Sequence, residues 1–142
     1  MEVEMKRALY VYEGILQFLI GLSALVSGVL MMIVPDGHLM NMPISMLKGS
    51  PFKDFFFPGL ILLSVNGLGN ILSGILCLKR HKLAGYAGIV FGLALIIWIF
   101  VQVSMIGGGH WLQYLYFCLG VLELLLAIGI REFEGSDAAK GR

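Results

Sequence analysis

A chain of 142 residues that is 58% hydrophobic and 13% charged, with a mean hydropathy of +0.90, cannot be an ordinary soluble domain, whose charged share is near a quarter. It is read as one integral membrane domain. A net charge of +1, with the basic residues scattered at the ends of apolar runs, gives no nucleic-acid-binding stripe. Cys77 and Cys118 lie in separate apolar segments, with no CxxC and no histidine at ligand spacing, and are read as small buried hydrophobes rather than redox groups.

Met1–Arg7 is a short polar lead and Ala8–Val34 the first span, longer than the ~20 residues that a bilayer core requires. The run exceeds a signal-peptide core and has no small-residue cleavage site, so it is read as a retained helix. Gly14, Gly21 and Gly28 repeat along it, a smooth stripe against which another helix can approach closely. Pro35, Asp36 and Gly37 end the span. The following loop is apolar (Leu39, Met40, Met42, Ile44, Met46, Leu47), and Pro43 and Gly49 bracket one short helix expected on the membrane surface.

Ser50 and Pro51 have the form of a helix N-cap and first position. A helix starting there puts Pro58 about two turns in, where its ring opposes the Asp54 carbonyl and predicts a kink. The second span covers about 55–78. A basic turn, Lys79–Lys82, leads to a third span, 83–106, with Gly88 and Gly92 as a small-xxx-small pair. Gly107–His110 is a tight connection that lacks the lysine and hydroxyl of a phosphate loop. The fourth span is 111–130, closing a membrane domain of residues 1–131. Residues 132–142 read as a polar, disordered tail.

Orientation follows from the basic residues. Lys6, Arg7, Lys79, Arg80, Lys82, Arg131, Lys140 and Arg142 fall on one face and only Lys48 and Lys53 on the other, which predicts cytoplasmic termini and an extracytoplasmic first loop. Tyr10, Tyr12 and Tyr86 near the basic face, and Trp111, Tyr114 and Tyr116 near the other, supply the expected aromatic girdles.

Ionisable groups inside a bilayer are costly, which singles out Glu13 and Glu123. At 1.5 Å per residue they lie roughly 7–10 Å inside the cytoplasmic end, at a shared depth. Asn66 and Asn70, four apart, share one face of the second span, and Gln17 lies one turn from Glu13. Glu13, Gln17, Asn66, Asn70 and Glu123 are therefore expected to face one another, where low dielectric favours the uncharged carboxyl and the set can either bind a cation or proton or simply fix helix register. A second polar set, Asp54, Gln102, His110 and Gln113, with Asp36 and His38 nearby, is expected at the opposite end; its spacing matches no metal-ligand pattern and points to loop hydrogen bonding.

The runs PDGHLMNMPISMLKGSPFKDFFFPGLILLSVNG and WIFVQVSMIGGGHWLQYLYFCLG resemble a group of small bacterial four-span membrane proteins. These share a P-x-G loop, an SPF-x-DF-x-x-PG start to the second helix, W-I-x-x-Q-V in the third and W-L-Q opening the fourth. The resemblance runs from Gly14 to Gly120. It implies a bacterial inner-membrane location, draws attention to Asp54, Pro58, Gln102 and Gln113, and carries over no catalytic residue. The early glutamate in the first of four spans is also similar to the arrangement in small multidrug-resistance exporters, which implies proton coupling.

The expected architecture is all-α, a four-helix transmembrane bundle with a short interfacial helix in the first loop. No catalytic motif, metal site or cofactor is indicated. The leading functional reading is a non-enzymatic protein that binds a lipid or other lipophilic small molecule between its helices, or serves as a homo-oligomer or small subunit of a larger membrane assembly. The alternatives are a small proton-coupled transporter using Glu13 and Glu123, and an intramembrane enzyme with an acid or base at Glu123 or Asp54.

Overall fold

In a computed structural model, which describes residues 2–40 and 42–140, the chain is all-α. Four helices are long and apolar enough to cross a membrane: α1 (Glu2–Ile33), α2 (Phe56–Leu78), α3 (Ala84–Ile106) and α4 (Trp111–Lys140). They pack in a ring, α1 on α2, α2 on α3, α3 on α4 and α4 back on α1. Leu19, Leu72, Ile97 and Leu125, one from each helix, are among many large apolar side chains that face outward, as a bilayer requires. The protein is an integral membrane four-helix bundle.

Both ends of the chain extend its helices further than expected. Residues 2–7 are no separate lead: Glu2 and Glu4 occupy the first turn of α1, where the helix dipole favours anions. The tail likewise continues α4 to Lys140, while Gly141 and Arg142 lie outside the described residues. Glu134 ties that extension down. Its carboxylate accepts hydrogen bonds from the Tyr10 hydroxyl (3.1 Å), the Gly85 N–H (3.3 Å) and the Arg131 guanidinium (3.3 Å). The Gly85 N–H belongs to the first turn of α3 and has no partner within its own helix, so one carboxylate joins three helices. Glu134→Ala leaves the buried Tyr10 hydroxyl unpaired and is expected to cost about 1–3 kcal/mol, read as a lower unfolding midpoint in detergent; exposed Glu132→Ala serves as the control with little change.

The start of α2 corrects the reading of Ser50 and Pro51. Ser50 bonds back to the Leu47 carbonyl, and the helix begins only at Phe56. There Asp54 Oδ1 accepts the Phe56 N–H at 3.0 Å, and the Phe55 N–H is held by the Pro35 carbonyl at 2.9 Å. Pro58 becomes the third helical residue, where the absent N–H had no helical partner to lose. The expected conflict with Asp54 does not arise. The irregularity lies deeper, where Leu62–Leu68 forms a wide π-helical stretch and the Gly69 N–H reaches back five residues to the Ser64 carbonyl.

The first loop holds two short 3₁₀ turns, His38–Met40 and Ile44–Leu47, rather than one helix. Gly37 has φ +77° and would drive a Cβ into the Met42 carbonyl, so only glycine serves there. Leu47 tucks inward with Met31 and Phe55 to close the loop end of the bundle. At the opposite end, α2 stops in a Schellman turn: the His81 N–H bonds the Leu76 carbonyl and the Arg80 N–H that of Cys77, with Arg80 at φ 52° in the place glycine usually takes.

The glycine stripe of α1 meets a matching stripe on α2. Gly28 lies against Gly59 and Leu63, Gly21 against Gly67 and Ile71, and Gly14 against Cys77 and Leu78. Gly88 and Gly92 give α3 the same intimacy with Ala127 and Leu124 of α4. Of the expected girdle, Tyr12, Tyr86, Trp111 and Tyr114 face outward, whereas Tyr10 is buried under Glu134 and Tyr116 turns inside. Cys77 is buried as expected, but Cys118 is exposed on α4.

Candidate functional site

Two features occupy the interior, one above the other. The loop half of the bundle holds a partly open cavity of about 660 Å³. Its walls are Ile20, Ala24 and Met31 of α1, Leu62 of α2, and Leu95, Trp98 and Ile99 of α3, and the loop residues Met42, Leu47 and Phe55 form its roof. Polar groups are few: Ser23, Ser27, Asn66, Gln102, His110, Gln113 and Tyr116. None of the described lining residues is Asp, Glu, Lys or Arg. The Tyr116 hydroxyl donates to Ser23 Oγ at 2.9 Å, which fastens α4 to α1 across one wall.

The second polar set therefore divides. Gln102, His110 and Gln113 line the cavity, whereas Asp54 does not and serves instead as the cap of α2. His110 and Gln113 have a second task at the start of α4. His110 Nδ1 accepts the Leu112 N–H (3.2 Å), an N-cap contact to the second helical residue, while Gln113 Oε1 accepts the His110 N–H (3.3 Å), the returning half of a capping box. Gln113 Nε2 also donates to the Gly107 carbonyl at 3.0 Å, closing the glycine turn. H-W-L-Q carries the spacing of this device, which is the signal sequence reasoning missed. Asp36 and His38 stay local: Asp36 Oδ1 accepts the His38 N–H at 3.0 Å and faces its ring, which holds the Asp36 carboxyl below its ordinary range.

Below the cavity lies the polar cluster. Glu13, Gln17, Asn66, Asn70 and Glu123 are each at most 1% exposed, and Ser73, not foreseen, joins them at the next step of the same α2 face. Gln17 Nε2 donates to Glu123 Oε1 at 3.3 Å, linking α1 to α4. Asn70 Nδ2 donates to the Asn66 carbonyl at 2.8 Å, within the wide turn of α2. Gly88 of α3 makes room for the set: a Cβ there would sit 2.9 Å from Glu13 Oε2 and 3.4 Å from Gln17 Nε2. Glu13 and Gln17 of α1, Gly88 of α3 and Glu123 of α4 thus meet, while Asn66, on the stretch of α2 that packs on Leu25, lies nearer the cavity. Glu13 and Glu123 do not line the cavity, and Asn66 is the member of the cluster that borders it.

No protein-family model matches the chain, and neither the curated proteins nor the solved structures include a significant match, so the motif resemblance rests on those residues alone.

Proposed function

We propose that the protein binds an uncharged lipophilic molecule with one hydrogen-bonding end in the cavity at the loop end of the bundle. The observation that carries this reading is the lining. A volume of about 660 Å³ lies within the usual range of small-molecule pockets, and the walls are apolar with a few convergent hydroxyl, amide and imidazole groups. Without a formal charge, such a lining offers nothing to neutralise a phosphate headgroup, whereas Asn66, Gln102 and Gln113 suit a hydroxyl or carbonyl. The walls come from one chain, so binding needs no second copy. The basic residues at the termini end favour cytoplasmic termini, which would open the loop end to the outside of a bacterial inner membrane.

Native mass spectrometry of the gently solubilised protein, followed by extraction of whatever is bound, tests the reading. A retained neutral lipid, isoprenoid or quinone-like molecule is expected. Ser27→Phe, which fills part of the cavity, should release it while leaving the folded protein intact. Retention of an acidic phospholipid, equally in wild type and Ser27→Phe, would defeat the proposal.

A further inference from the structure

We propose that Glu13, Gln17 and Glu123 form a buried binding site for a hard monovalent cation, with sodium as the probe. The argument is a census of oxygens. Both carboxylate oxygens of Glu13, one of Glu123 and the amide oxygen of Gln17 are fully buried and meet no hydrogen-bond donor, and Gln17 is bonded to Glu123 and shares with Glu13 the space beside Gly88. Buried polar atoms are nearly always paired, so four together call for a guest that satisfies oxygen. Rotating the amide does not supply one. Turning Gln17 breaks its bond to Glu123.

The surroundings supply no positive charge either. Among the described residues no ion pair involves Glu13 or Glu123. Arg131 is engaged by Glu134 and stacks 4.0 Å over Tyr86, and Arg80 lies over the Tyr10 ring. Cys77 lies near both carboxylates and carries no positive charge. An all-oxygen set selects a hard ion over a thiophilic one. Two carboxylates holding one monovalent ion and one proton are electrically neutral together, which a site closed to water requires. Protons compete for the same carboxylates, so the cation is held more tightly as pH rises.

The test uses the full-length protein in detergent at constant ionic strength, with sodium exchanged for N-methylglucamine. Sodium is expected to raise the unfolding midpoint saturably, more at about pH 8.5 than at about pH 5.5, and radiolabelled sodium to bind at about one ion per chain. Glu123→Gln should abolish the sodium dependence; should that variant fail to fold, Glu13→Gln is expected to weaken sodium binding about tenfold. Three results would overturn the proposal: no sodium effect at either pH, a sodium effect that survives in Glu123→Gln, or stabilisation by calcium alone. Failure here leaves the lipophile reading untouched, since none of Glu13, Gln17 and Glu123 lines the cavity.

Discussion

Gly28→Leu is expected to yield no folded bundle. A Cβ on Gly28 would lie 2.7 Å from the Gly59 carbonyl oxygen, 2.7 Å from Leu63 Cβ and 2.9 Å from the Leu63 nitrogen. Two of those atoms are backbone, so relief means prising α1 from α2 along their whole seam. Overpacking of a close-fitting contact costs about 1–3 kcal/mol for a methylene or two. Even Gly28→Ala should lose that much, and leucine adds three further carbons with nowhere to go. Denaturant titration in mixed micelles, with size-exclusion chromatography for the leucine variant, measures both. Gly135→Ala provides the contrast: no atom lies within 4 Å of its Cβ, and helix propensity alone predicts a gain of up to ~1 kcal/mol. Wild-type stability in Gly28→Ala would show that the seam can part at this point without loss.

Gln17→Leu should be the most damaging of the polar substitutions, because it strips Glu123 of its one side-chain donor while leaving the carboxyl buried. Leaving a buried acceptor without its donor costs about 1–3 kcal/mol, whereas replacing both partners by apolar groups of similar shape is often nearly neutral. Gln17→Leu combined with Glu123→Leu is therefore expected to recover most of the loss. The non-additivity is the diagnostic. Should the two changes simply add, Gln17 and Glu123 act independently and the link between α1 and α4 is incidental.

The four spans were legible because a bilayer demands a minimum apolar length, and their ends at the three connections fall within a residue or so of the expected ones. The inward turn of Glu13, Gln17, Asn66, Asn70 and Glu123 was legible for the complementary reason: a carboxyl or amide in such a span must turn inward, and all five are buried. Contacts made across the chain hid the rest. Ser50 and Pro51 have the local form of a helix start, but the Pro35 carbonyl and the Asp54 carboxylate fix that start downstream. The tail looked polar enough to be disordered, yet Glu134 finds Tyr10 more than a hundred residues away. Nothing local in Leu62–Leu68 announces a wide turn; its cause is the fit to another helix.

That turn changes what lengths α2 can have. Gly59, Leu63, Gly67 and Ile71 all face α1, a spacing of four repeated three times. At about 100° per residue, an unbroken α-helix would carry Ile71 roughly 120° out of phase with Gly59. A π-type bulge takes up about one residue, which cuts the error to roughly 20° and lets one face serve along the whole seam. The second helix therefore carries one residue of slack. Losing a residue within Leu62–Leu68 would return the helix to regular winding with both halves still in phase, whereas losing one near Leu72 would swing one half by about 100° and turn Ser73 and Gly74 away from their neighbours.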